Sequence, residues 1–399
     1  MCTDVWAQEL AARDAPTQRI ARLREEALAE GPPVPWQVEM LRGEAFRDSQ
    51  DELWWVIRRA RQTAHVLRNI DVVIGPEDVI VGRPPKRPPT DEEQERLAKA
   101  REYLAAQPRA GGQSGHMAPD FDSLLRLGCR GLRQKIASLS ARLDPADPAS
   151  PPKLAFYRAA DEALRGLVAF AERYADHAER LAETEADVRR RDELRHIANL
   201  CRWVPNNPAR TFHEALQAAH FLLFALNYAE GCNLSSPGSI DRWLWPYLKA
   251  DLEAGRIDLA RAQELLDEFF ITFNFYIGRG LAIGALVGGR DAEAKDVCNP
   301  VTWMALRSVD HVRLAYPSLG LRVHSATAPE LVDYALEILA DGTSNPALFN
   351  DEVITDGLLA AGLPRADACD YMNSTCVEIT PCGKSNVWVA SPYINLPGV

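Results

Sequence analysis

Residues 318–350 open with Ser318-Leu319-Gly320-Leu321-Arg322-Val323-His324, continue through Thr327-Ala328-Pro329-Glu330 and an apolar run to Leu339, and close on Ala347-Leu348-Phe349-Asn350. The first piece alternates apolar and other residues at period two, as a half-buried strand does. Thr327 with Glu330 three positions later has the pattern of a capping box, so a helix is expected to open there and run to Leu339, with Gly342 ending it. Ala347-Leu348-Phe349 is a short apolar run stopped by Asn350-Asp351. Strand, helix and strand at this spacing make a β/α unit, so the chain reads as α/β, a barrel or mixed sheet inside a coat of helices.

Outward from this unit the pattern changes. Upstream, residues 17–30, 44–69, 92–106, 121–143, 155–180 and 184–202 carry apolar residues at three-and-four spacing with Arg and Glu between them, and are expected to be helical. Pro84-Pro85-Lys86-Arg87-Pro88-Pro89 and the stretch from Pro145 to Pro152 interrupt them, each as a surface loop or a domain boundary. Thr211-Phe212-His213-Glu214 is a second capping-box pattern, opening an unusually apolar helix from Ala215 to Tyr228. Another helix is expected over Leu259 to Tyr276. Strand signals begin only at Ser318, and Met372 to Ile379 and Val387 to Ile394 are expected to add two more strands.

Composition narrows the function classes. The 399 residues are 47% hydrophobic and 25% charged, an ordinary globular balance. A net charge of −11 repels phosphate-bearing surfaces, which argues against nucleic-acid and anionic-membrane partners. Met1-Cys2-Thr3-Asp4 opens no secretory signal, and apolar runs such as Phe221 to Leu226 fall short of the roughly 20 residues a membrane span needs. The 8 cysteines form no C-x-x-C pair, so no metal site is expected and the thiols read as reduced and cytoplasmic.

The densest chemistry is Asn373-Ser374-Thr375-Cys376-Val377-Glu378-Ile379-Thr380-Pro381-Cys382-Gly383-Lys384-Ser385. On an extended backbone Cys376 and Glu378 face the same way. A carboxylate beside a thiol raises the thiol pKa, which disfavours thiolate chemistry; a thiolate nucleophile would also want a histidine such as His311 or His324 nearby. Radical chemistry uses the neutral thiol as a hydrogen-atom donor and leaves the carboxylate free to act as a base or acid. The ordinary reading of any C-x-E remains structural. The glycine-rich stretch Gly278 to Gly289 lacks a dinucleotide fingerprint. His213 and His220, two turns apart on an apolar helix, read as core histidines bonded to backbone. His116 sits in a loop before a helix that Asp120 or Asp122 would cap.

Cys376-Val377-Glu378, with Gly383-Lys384-Ser385, Trp388 and Tyr393-Ile394-Asn395-Leu396, resembles the cysteine loop of glycyl radical enzymes of the pyruvate formate-lyase superfamily. Gly115-His116 to Phe121, Val204 to Gln217, Ser236 to Asp241, Tyr316 to Leu319 and Leu348 to Glu352 match in family order. The resemblance implies a helix-rich coat around half of a ten-stranded α/β barrel that is built from two antiparallel half-barrels. It implies a thiyl radical on Cys376 and a general base at Glu378, with His116, Asn233, Ser236 and Tyr393 near the substrate. The Cys-Val-Glu form is similar to the eliminating branch, which contains diol dehydratases, choline trimethylamine-lyase, isethionate sulfite-lyase and hydroxyproline dehydratase, and to arylacetate decarboxylases. The implied activity is that of a lyase acting on a small polar molecule.

The cofactor implied is a glycyl radical installed by a radical-SAM activase, with nothing bound directly. No R-V-x-G followed by an aromatic occurs in the sequence, so residues 1–399 are expected to be the N-terminal part of a pyruvate formate-lyase-type domain, with the glycine radical domain absent and no activity alone. A C-terminal half protein or a homodimer is then an expected partner. Thr375 and Ile379 stand where the eliminases usually have Gly and Pro, and Ala390 and Asn233 point away from glycerol or propanediol as substrate. The open alternatives are an inactive scaffold relic of the family, a glycyl radical decarboxylase and a thiolate hydrolase.

Overall fold

The amphipathic repeats of the first two-thirds fold as helices over Gln18–Ala29, Trp36–Asp48, Trp55–Asn69, Asp91–Ala105, Phe121–Ala141, Ser150–Thr184 and Val188–Trp203. They are seen in a computed structural model that describes residues 9–10, 12–31, 33–107, 115–232, 234–278, 283–373 and 378–384. The single helix expected over 44–69 is two. Ser49 stops the first by donating its hydroxyl to the Ala45 carbonyl at 2.6 Å, and the second starts only at Trp55. The helix expected from 155 opens earlier, at Ser150, because Pro151 and Pro152 occupy the first turn, where a missing N–H costs nothing. The helix from Phe121 is broken at Gly128, which has φ 63°. The backbone of Pro205-Asn206 enters that break and accepts N–H bonds from Cys129 and Arg130 at 2.8 and 2.9 Å. A Cβ on Gly128 would lie 2.5 Å from the Asn206 carbonyl, so glycine is required there. One hydrophobic cluster runs from Leu10 to Ile338, taking in residues on both sides of each proline-rich segment.

The very apolar helix Phe212–Phe224 continues as a π-helical turn over Ala225–Glu230 and is buried at nearly every position. Its capping box is half made. Thr211 accepts the Glu214 N–H at 3.2 Å, but the Glu214 carboxylate takes the Arg210 N–H at 2.7 Å. The other expected box does not form, because the Thr327 hydroxyl accepts the His324 N–H at 2.9 Å, and the helix Pro329–Ala340 begins without a side-chain cap. The helix Leu259–Tyr276 has the expected bounds.

These helices enclose a four-stranded parallel sheet of β1 (Gly238–Ser239), β2 (Gly284–Gly288), β3 (Ser318–Val323) and β4 (Ala347–Asn350), hydrogen-bonded in that order. Alternation does not disclose β1 and β2, because β1 has two residues and all five of β2 are buried, which removes the period-two signal. Register is fixed by pairs such as Leu286↔Gly320 and Leu321↔Leu348. At Gly320 a Cβ would meet Leu286 Cδ1 at 2.5 Å and the Phe349 ring at 2.6 Å, so the missing side chain lets its neighbours close over the sheet. Helices Ile240–Glu253 and Leu259–Tyr276 connect β1 to β2, Pro300–Val312 connects β2 to β3, and Pro329–Ala340 connects β3 to β4. Parallel strands that neighbour each other in chain order wind in one direction, as in a barrel wall, with no reversal of the doubly wound kind. The expected α/β architecture of helical coat and part-barrel is therefore the observed one.

At the two ends of the expected Met372 to Ile379 strand, β5 (Tyr371–Asn373) pairs antiparallel with β6 (Ile379–Pro381). The segment Val387 to Ile394 lies outside the described residues. Among the described residues no helix is long and apolar enough to cross a membrane, and no group of three or more His, Cys, Asp or Glu is arranged to hold a metal ion.

Candidate active site

Three backbone segments meet at the sheet end. Residues 115–119 run between the loop 231–236 and the turn after β6. On one side Met117 forms a parallel bridge with Ser235, and the Ser236 N–H bonds the Met117 carbonyl at 2.8 Å. On the other, the Gly383 N–H bonds the Ala118 carbonyl at 3.1 Å. Ser236 also fastens this layer to the sheet, its hydroxyl accepting the N–H of Gly284, the first residue of β2, at 3.0 Å.

This packing brings together two residues singled out in the sequence. His116 Nδ1 lies 3.4 Å from Glu378 Oε1, with side chains 13% and 29% exposed. The separation is at the long edge of a hydrogen bond, and His116 Nδ1 is buried with no bond of good geometry. An imidazole and a carboxylate so placed can pass a proton to and from a molecule beside them. Ser236 stands in the same layer. Cys376, Asn233 and Tyr393 lie outside the described residues. Cys376 belongs to residues 374–377, so the extended backbone expected for the Cys376–Glu378 pair falls outside the described residues.

The hairpin is tied to the barrel wall by groups the sequence reading passed over. Arg322 on β3 is fully buried. Its Nε and Nη2 donate to Asp351 Oδ1 at 2.8 and 2.6 Å, and Nη2 also donates to the Cys369 carbonyl at 3.0 Å. The guanidinium lies 4.0 Å from the centroid of the Tyr371 ring. Burial pushes the Asp351 carboxyl up, but the Arg322 guanidinium more than reverses this and holds it below the usual range. Arg290 donates to the other oxygen, from N and Nε, both at 3.1 Å. Further along, the Ser239 hydroxyl donates to the Tyr371 carbonyl at 3.1 Å and lies 3.5 Å from Cys382 Sγ. Burial, aided by the Asp370 carboxylate, pushes the Cys382 thiol up to about 12, so this cysteine is no thiolate nucleophile at neutral pH. A cavity of about 410 Å³ opens beside it, lined by Asp120, Phe121, Ser239, Arg242 and Cys382 among others.

Several motif residues prove to be joints of the sheet. Buried Asp241 accepts the Gly288 N–H and the Thr302 hydroxyl, each at 2.7 Å, and the Tyr316 hydroxyl donates to the Gly278 carbonyl at 2.9 Å. Asp120 is the helix cap, accepting the Ser123 N–H at 2.9 Å. His213 and His220 bond the Val79 and Gly82 carbonyls at 2.9 and 3.0 Å, as core histidines should. The histidines considered for a thiolate are held by carboxylates: His311 by Asp267 and Asp14 at 2.7 and 3.0 Å, and His324 by Asp296 at 3.1 Å.

The family described as pyruvate formate lyase-like matches residues 90–399. The chain is 32% identical over 291 residues to isethionate sulfite-lyase of Nitratidesulfovibrio vulgaris, a match covering 69% of this chain and 35% of the relative. It is 30% identical over 251 residues to trans-4-hydroxy-L-proline dehydratase of Clostridioides difficile, covering 59% and 32%. The glycerol-bound B12-independent glycerol dehydratase of Clostridium butyricum superposes with TM-score 0.86 at 26% identity, over 93% of this chain and 56% of that one. The chain thus spans about a third of the curated relatives in sequence matches and just over half of the solved neighbour.

Proposed function

The chain belongs to the pyruvate formate lyase-like family, and on that premise we propose that it carries the thiol and the acid–base groups of a glycyl radical lyase that eliminates a group from a small polar substrate. The observation that carries the reading is the 3.4 Å approach of His116 to Glu378, next in sequence to the Cys376-Val377 pair. The relatives named isethionate sulfite-lyase and hydroxyproline dehydratase support elimination from a small hydroxylated molecule.

In this reading a glycyl radical, installed by a radical-SAM activase, supplies one thing: removal of the hydrogen atom from the Cys376 thiol. Cys376 then takes a hydrogen atom from a substrate carbon, the S–H bond forming as the C–H bond breaks. Glu378 accepts the proton of the hydroxyl on that carbon, which raises the electron density that expels the neighbouring group. The leaving group departs with its bonding pair, and His116 can give it a proton where it needs one. The Cys376 S–H returns its hydrogen atom to the product carbon, which restores the sulfur radical. Ser236, Asn233 and Tyr393 are assigned to the substrate side of the pocket. A C-terminal half protein or a second copy of the chain is the partner proposed beside the activase.

The test uses the complete anaerobic enzyme with its activase. Cys376→Ser should keep the glycyl EPR doublet and lose turnover, and Glu378→Gln should lower kcat by roughly 10²–10⁴-fold. Full turnover by the Cys376→Ser variant would sink the mechanism.

A further inference from the structure

The π-helical turn Ala225–Glu230 lies directly before the loop that borders His116, and π-turns recur at functional sites. Asn227, buried in that turn, has both ends of its amide committed. Its Oδ1 accepts the Ser235 N–H at 3.0 Å, while Nδ2 donates to the Ser235 carbonyl at 2.9 Å and to the Leu223 carbonyl at 3.0 Å. The side chain therefore pairs with Ser235 as a neighbouring strand would. Ser235 in turn bridges Met117, and Met117 is the residue after His116.

We propose that Asn227 is a positioning residue for the His116–Glu378 pair, acting through Ser235 and Met117. The inference rests on the function proposed above, because it takes that pair as the acid–base site. Two physical features set Asn227 apart from ordinary core packing. Its bonds go to backbone atoms of the loop, so they fix where the loop lies irrespective of side-chain identity there. The pattern also requires a donor and an acceptor together on one short side chain; Asp has only acceptors, and Leu and Ala have neither. Removing the amide would leave the Ser235 N–H and carbonyl without these partners in a buried layer, and the loop would move to find others.

The test reads the pair itself, with no need for turnover. In this chain labelled with 13C at the histidine ring carbons, Glu378→Gln should shift the His116 signal. The same substitution in an Asn227→Ala background should leave that signal unmoved. Leu266→Ala, a core cavity in the helix Leu259–Tyr276, serves as a control for general destabilisation and should preserve the response. Asn227→Asp keeps shape and one acceptor and loses both donors; should the alanine variant fail to fold, it is expected to lose at least half of the response. A full Glu378→Gln shift in a folded Asn227 variant would overturn the positioning role and leave the proposed function standing. A native chain whose His116 signal ignores Glu378→Gln would overturn both.

Discussion

Replacing Asp351 with Asn isolates the ion pair that fastens the cysteine-bearing hairpin to the barrel wall. Both Arg322 and Asp351 are fully buried, and the substitution keeps the volume while removing the charge. Two unit charges about 4 Å apart at an effective dielectric near 20 attract by about 4 kcal/mol. Asn retains one acceptor oxygen, so the Arg322 bonds persist in neutral form at roughly half their strength. The guanidinium is left without a counter-charge, a situation that typically costs ~3–5 kcal/mol. A loss of ~3–4 kcal/mol in urea unfolding, seen as a lower midpoint at unchanged slope, is therefore expected. Because Arg322 also bonds the Cys369 carbonyl and covers Tyr371, amide exchange should accelerate at Met372 and Thr380, which pair across the hairpin. Pairing Asp351→Asn with Arg322→Met should recover part of the loss, since the fully buried charge is then gone and the remaining one, Arg290, is partly exposed and also faces Glu352. A single variant costing under ~1 kcal/mol, or a double variant costing the sum of the two singles, would refute the assignment.

Gly43→Ala would place a Cβ 2.5 Å from Ala100 Cβ and 2.7 Å from its Cα, where two helices cross; an overpacking loss of ~1–3 kcal/mol and a lower Tm are expected in calorimetry. Burial lowers His213, beside His196, to about 3 and His220 to about 4. Both are held neutral in the folded chain, so stability should fall as pH drops from ~6.5 toward 4, and His220→Gln should flatten that slope by up to ~3 kcal/mol. Burial and the Asp78 carboxylate raise Glu268 to about 8. This contribution is present below ~4.5 and lost as pH rises through ~8, and Glu268→Gln should make unfolding free energy flatter between ~4.5 and ~8.

What the sequence disclosed follows from which signals are local. The β3–helix–β4 unit announced itself because both ends of β3 are less buried than its middle and its residues alternate in type. β2 did not, because Gly284 to Gly288 is buried throughout and reads only as a glycine-rich run. The cysteine segment was conspicuous, and both His116 and Glu378 were named by family resemblance. Their meeting was not derivable from spacing, since it depends on a loop from one end of the chain being clamped between two others. Arg322 was the hardest to see: an arginine within an alternating strand normally marks the solvent face, and only the partner Asp351 and the Tyr371 ring explain its burial. The two capping patterns teach the same lesson, since Thr327 and Glu214 found competing backbone partners one turn away.

The His116–Glu378 contact joins positions 262 residues apart. Ribosomes add ~5–20 residues per second, so the carboxylate emerges some 13–50 s after the histidine. Helices of the coat make local contacts and can form in that interval, whereas this pair must await closure of every strand between them. The order of synthesis therefore completes the scaffold before the reactive segment arrives. A nascent chain exposes its imidazole early but cannot assemble an acid–base couple around a stray metabolite until the wall is already in place.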